Sequence, residues 1–249
     1  LGYSDNIISF DNVSFTYEGA GAPSLTDISF TVKRGETVGI IGGTGSGKTT
    51  LVNLISRFYD ATEGQILIKG VDIASLSKQT LNKTVSVVPQ RSMLFAGTVR
   101  SNLLWGNPQA GDDCLWKALE MSQADSFVKQ KQGLDSIVEQ SGRNLSGGQR
   151  QRLTIARALV SDADILILDD SASALDFATE AKLRRALKTL KGEKTVFTVS
   201  QRTSSIAHAD KIIVLDEGML VGIGDHKELL SSCQVYREIH ESQFKREVQ

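Results

Sequence analysis

Between an apolar run, Thr37–Ile41, and a stretch of helical spacing, Lys48–Phe58, the chain reads Gly42-Gly43-Thr44-Gly45-Ser46-Gly47-Lys48-Thr49, followed by Thr50. No other segment restricts the possible folds as tightly. Closely spaced glycines free backbone N–H groups to wrap phosphate oxygens, and the N-terminus of a following helix adds a favourable field. In the pattern GxxxxGK[ST] the lysine, here Lys48, reaches the outer phosphates and the hydroxyl of Thr49 ligates Mg²⁺. The strand before it and the helix after it argue against a chance glycine-rich loop. The segment implies a nucleoside triphosphate site.

The surrounding pattern is that of an α/β chain. Ile8, Phe10, Val13, Phe15 and Tyr17, then Leu25, Ile28, Phe30 and Val32, alternate as half-buried, antiparallel strands joined by the loop Glu18–Pro23. Ile66–Ile68, Val85–Val88, Ile165–Leu168, Thr195–Val199 and Lys211–Leu215 read as further strands, with helices over Thr179–Leu190 and from about Lys227. Strands alternating with helices predict a mainly parallel sheet covered on both faces. From Arg91 to Val160 helical spacing dominates. The predicted organisation is therefore a nucleotide-binding core, residues 1–89 and 161–249, with a small antiparallel β lobe and a helical subdomain over residues 90–160.

Composition removes several classes of function. With 28 Lys+Arg against 29 Asp+Glu, the chain lacks the basic surplus that nucleic-acid binding uses. Cys114 and Cys233 stand alone, which suits a reducing compartment and gives no disulfide or zinc framework. His208, His226 and His240 have no metal-like spacing and read as surface or turn histidines. No window approaches the ~20 apolar residues of a membrane helix. Together with a Leu start, this makes the chain read as a soluble piece trimmed from something longer.

Two further motifs bear on chemistry. Ile165–Leu168 delivers Asp169 to the carboxyl end of a buried strand, where ligands of open α/β sheets bind, so Asp169 is a candidate Mg²⁺ partner. Leu145-Ser146-Gly147-Gly148-Gln149 opens a helix. Its exposed N–H groups fit an anion site, and Ser146 equally fits an ordinary helix cap. The residues alone do not choose between these two.

The order of these motifs, with Val88-Pro89-Gln90 between them, resembles the ATP-binding cassette family over essentially the whole chain. The resemblance implies an ATPase with ATP and Mg²⁺ as cofactors. Two such domains would dimerise head to tail, each ATP lying between one glycine loop and the other domain's Ser146–Gln149 segment. It implies that Tyr17, otherwise an edge-strand aromatic, stacks on adenine. Gln90 would touch Mg²⁺ and the membrane partner, and Asp176 would contact the dimer mate. The stretch Arg91–Gly106 looks like exporters, whose membrane domain is fused ahead of the ATPase, and Gln140 falls where exporters meet their coupling helices. That resemblance places the chain at the cytoplasmic face of a membrane. Family members in repair or translation would need a basic face or a long coiled-coil insert, and the sequence has neither.

Two positions depart from the family. Asp170 replaces the glutamate that polarises the attacking water, and Gln201, in Ser200-Gln201-Arg202, replaces the histidine that contacts the γ-phosphate. The binding groups Lys48, Thr49 and Asp169 are intact. The resemblance thus implies a site that holds ATP and turns it over slowly, as in the degenerate half of a heterodimeric exporter. The alternative is a fully active homodimer.

Overall fold

The computed structural model describes residues 5–247. The N-terminal alternation forms two antiparallel strands, β1 (Asn6–Phe15) and β2 (Leu25–Lys33), pairing Phe10 with Phe30 and Ile8 with Val32. Ile28, Phe30 and Val32 point inward at every second position, the period of a half-buried strand. The Phe10 and Phe30 rings stack at 4.6 Å.

β3 (Thr37–Gly42) is almost entirely buried, and the glycine loop then turns into α1 (Lys48–Ile55). The sequence pattern carries this helix to Phe58, whereas it ends at Ile55. Arg57 adopts φ 50°, and its guanidinium donates to the Ile73 and Leu76 carbonyls at 3.1 and 2.9 Å. These bonds take the chain off the helical path and leave Phe58 exposed.

β4 (Glu63–Ile68) and β5 (Val71–Asp72) complete an antiparallel sheet in the order β2-β1-β4-β5. After α2 (Lys78–Thr84), β6 (Val85–Val88) joins a second sheet. The next stretch is mostly helical. It holds β7 (Gly97–Thr98), α3 (Val99–Leu104), α4 (Asp112–Met121), α5 (Asp125–Lys129), β8 (Ile137–Val138) and α6 (Gly147–Val160). Leu103, Leu115, Leu119, Val128 and Leu153 form an apolar cluster of their own there.

The chain returns to the second sheet through β9 (Ile165–Asp169), α7 (Phe177–Lys188), β10 (Thr195–Val199), α8 (Thr203–Ile206), β11 (Lys211–Asp216) and β12 (Met219–Gly224). It closes with α9 (His226–Ser232) and α10 (Gln234–Glu247). The strand order is β12-β11-β3-β10-β9-β6, parallel throughout except at the β12 edge. β9 is buried at every position, because helical crossovers cover both faces of such a sheet. This is the α/β class the sequence predicts.

Two local expectations need correction. β12 is absent from the sequence reading: its side chains alternate between half-buried and exposed, and Gly222 and Gly224 dilute the apolar signal. The single polar helix expected from Lys227 is two helices, broken at buried Cys233. The last helix is docked along one face only: Ile239, His240 and Gln243 are half-buried, while Arg237, Glu238, Glu241 and Ser242 are exposed. Tyr236 is fully buried beside Ile41 and Ile206, and His240 and Gln243 follow on the same helix face; residues 248–249 lie outside the described part. His226 and His240, far apart in sequence, also meet at 5.2 Å beside Tyr236. Among the described residues no helix is long and apolar enough to cross a membrane.

Phe197, wholly buried in central strand β10, packs in the cluster that joins the two sheets. Phe197→Ala is expected to cost about 3–5 kcal/mol. Urea unfolding checks this as a lower midpoint at an unchanged denaturant slope.

Candidate functional site

The glycine loop is shaped by close contact. A Cβ on Gly42 would stand 2.2 Å from the Leu215 carbonyl and 2.4 Å from Ser46 Oγ, so β3 can pass against β11 only with glycine there. Gly47 takes φ 99° at the start of α1, and no side chain caps that helix end. The first N–H groups of α1 therefore have no intrahelical acceptor. Lys48 folds back over the loop, its Nζ donating to the Gly42 and Gly43 carbonyls at 2.9 and 2.6 Å and to Ser46 Oγ at 3.4 Å. Burial holds this ammonium below the usual lysine range, against the opposing pull of Asp170 and Asp169.

Gly45, Ser46, Lys48, Thr49 and Thr50 line one wall of an open cleft of about 500 Å³. Its other wall comes from residues the sequence reading did not select: Pro23, Ser24, Glu217 and Gly218. Glu217 and Gly218 both have positive φ and form the two-residue hairpin turn between β11 and β12, whose twist demands that conformation. The Glu-Gly pair between apolar runs was the available signal for that turn. Tyr17 stands beside α1, its hydroxyl 3.1 Å from Thr50 Oγ1, with its ring edge-on to Phe15 and Tyr59 at 4.7 and 5.1 Å.

The acidic side of the site comes from the carboxyl end of β9. Asp169 is buried, and that burial, with the charge of Asp170, raises its carboxyl above the usual range; Lys48 and the Thr49 hydroxyl oppose the shift. Asp170, at φ 45°, is also raised by burial, against a hydrogen bond from Gln90 Nε2 at 3.3 Å and the charges of Lys48 and Arg202. Gln201 lies on the turn after β10 and shares a cavity wall with Asp170. Lys48, Thr49, Gln90, Asp169 and Asp170 therefore meet at the ends of β3, β6 and β9.

The Thr49 hydroxyl and the Asp169 carboxylate, near enough that the hydroxyl pulls the carboxyl's pKa down, are hard oxygen donors that suit Mg²⁺, which keeps most of its ligands as water and phosphate oxygen. Among the described residues no group of three or more His, Cys, Asp or Glu could hold a metal without such help. The residues present fit a nucleotide-bound Mg²⁺.

The Ser146–Gln149 segment stands apart. Ser146 Oγ accepts from the Gln149 amide at 3.2 Å, and Gln149 Oε1 accepts from the Ser146 amide at 3.0 Å, a reciprocal cap of α6. A Cβ on Gly148 would touch the Ala174 carbonyl at 3.3 Å, so the turn lies against the segment leading to Asp176. That aspartate caps α7, accepting from Thr179 N and Oγ1 at 2.9 and 2.7 Å. Among the described residues no hydrogen bond or ion pair joins residues 146–149 to the glycine loop.

The sequence profile of the family described as ABC transporter matches residues 25–173. An uncharacterized ABC transporter ATP-binding protein of Mycobacterium bovis is 45% identical over 240 residues, covering 95% of this chain and 41% of the relative. A Staphylococcus aureus protein that carries the name ATP-binding/permease protein is 43% identical over 237 residues, with the same coverage. The chain thus spans about two fifths of the length of the curated relatives it matches. The solved structure of a bacterial Atm1-family ABC exporter with ATP bound superposes with a TM-score of 0.91 at 36% identity, covering 100% of this chain and 43% of that one. With a lysine-filled glycine loop facing two strand-end aspartates, and a family match over more than half its length, the chain belongs to the ABC transporter family as its ATP-binding domain.

Proposed function

We propose that this domain binds ATP with Mg²⁺, hydrolyses it slowly at its own glycine loop, and serves a membrane transporter of exporter type. The observation that carries the reading is the meeting of Lys48, Thr49, Asp169, Asp170 and Gln90 in one site, with Ser146–Gln149 outside it. The loop N–H groups and Lys48 hold the phosphates. Thr49, Asp169 and Gln90 hold the cation, which when bound neutralises phosphate charge. Tyr17 lies flat on the base. Asp170 takes a proton at its carboxylate from an attacking water, a role that its burial-raised carboxyl supports.

The same geometry supports slow turnover. A carboxylate one methylene short of glutamate stands back from the water, and displacements near 1 Å cost roughly 10²-fold. Gln201 can donate a hydrogen bond but cannot carry charge or a proton.

The reading extends to partners. A turn at Ser146–Gln149 that, among the described residues, makes no hydrogen bond or ion pair to its own glycine loop suits head-to-tail pairing with a second ATP-binding domain, with Asp176 at the contact. A membrane domain, fused ahead of this one in the full protein, accounts for the greater length of the relatives and for the word permease in one name. Met93, Phe95 and Trp105, exposed and close behind Gln90 in sequence, supply an apolar face for it, with Phe95 and Trp105 stacked at 4.7 Å. The domain then works at the cytoplasmic face of the membrane.

Equilibrium ATP binding and Mg²⁺-dependent phosphate release, measured against protein concentration, test this function. Saturable binding with slow but measurable release, at a rate per site that does not rise with concentration, is expected. Release that climbs steeply as the domain dimerises would make it a fully active homodimer.

A further inference from the structure

The turn that carries Gln201 is gripped from outside by the C-terminal helix. Gln243 Nε2 donates to the Gln201 carbonyl at 2.7 Å. Its Oε1 accepts from the Thr203 amide at 2.9 Å and from Thr203 Oγ1 at 3.0 Å. One side-chain amide thus satisfies a carbonyl on one side of Arg202 and an N–H on the other, and Arg202, which precedes α8, supplies no side-chain cap. His240 Nδ1 lies 3.1 Å from the same Thr203 hydroxyl. The grip is anchored. Tyr236, seven residues before Gln243 on the same helix face, is buried against Ile41 of β3 and Ile206 of α8, and its hydroxyl bonds His226 Nδ1 at 2.7 Å.

The helix therefore fixes the γ-phosphate turn relative to the strand that feeds the glycine loop. All three bonds to Gln243 involve backbone at Gln201 or Thr203, or the Thr203 hydroxyl, so they do not depend on which side chain occupies position 201. We propose that Gln243 is a positioning residue for the Gln201 turn, setting how far its side chain reaches toward the outer phosphate and tying hydrolysis to the placement of the C-terminal helix. This rests on the reading that Gln201 faces the γ-phosphate.

The test uses the full-length chain in single-turnover phosphate release, with amide hydrogen exchange over residues 200–206. Gln243→Met keeps the length of the side chain and removes every bond. It is expected to expose the Thr203 amide to exchange and to slow release at saturating ATP about tenfold, a fraction of what a 1 Å misplacement costs, while half-saturation by ATP moves less than about twofold. Gln243→Glu keeps the acceptor and loses the donor to the Gln201 carbonyl. It should leave the Thr203 amide protected and still slow release, which a purely helix-docking role would not do. Gln201→Ala is run alongside. If it slows release while both Gln243 variants match the native rate, positioning by Gln243 is overturned and the γ-phosphate reading survives. If Gln201→Ala has no effect, that reading fails and the positioning role falls with it.

Discussion

Replacing Asp170 by Glu and Gln201 by His together is expected to raise Mg²⁺–ATP turnover by ~10²-fold or more, about 2.7 kcal/mol of barrier. Nothing else in the site needs to change. Asp170 already sits on a left-handed backbone at the end of β9, with its carboxylate hydrogen-bonded to Gln90 and within the field of Lys48. An added methylene moves the carboxylate outward along that fixed direction. On the proposed reading, the histidine adds a group at the γ-phosphate that can carry charge. The two changes act on one reacting centre, so the single variants should not add up to the double. Phosphate release at saturating ATP decides the matter. Equal rates for native and double-variant chains would mean that aspartate and glutamine are tolerated in a fully active site.

The second large effect is a loss. Lys48→Met should weaken ATP binding by ~10²-fold or more, since charge-assisted hydrogen bonds contribute roughly 1.5–3 kcal/mol each and the ammonium is positioned for more than one. Calorimetric or fluorescent-nucleotide titration reads it directly. Two secondary effects follow from the geometry. The Gly42 and Gly43 carbonyls lose their shared donor, so the free loop loosens. Asp169 and Asp170 lose the cation that pulls their carboxyls down, so both take up protons at higher pH than in the native chain. Wild-type affinity in this variant would remove Lys48 from the phosphate site.

Much of this was written locally. The glycine loop, the strand before it, Asp169 after Ile165–Leu168 and the alternation of β1 and β2 each depend on residues adjacent in sequence, so spacing revealed them, whereas the roles of Asp170 and Gln201 came from the family resemblance. What escaped was assembled by tertiary contact. Glu217 and Gly218 reach the nucleotide cleft only because β11 pairs with β3, and no local pattern announces that. The end of α1 was misplaced because Arg57 bonds to carbonyls at positions 73 and 76. Gln243 lies 42 residues from its partner Gln201, in a polar stretch with no apolar run to mark a contact. The buried anchor, Tyr236, is a single aromatic among polar neighbours, too little to mark a docked helix.

The seat of Lys48 carries a kinetic consequence. With its ammonium seated on the Gly42 and Gly43 carbonyls, the lysine and the loop brace one another within the chain. Capture then amounts to a trade of partners, phosphate oxygens for carbonyl oxygens, with little ordering of the chain. With little ordering required on binding, differences in affinity among nucleotides are expected mainly in how long each one stays.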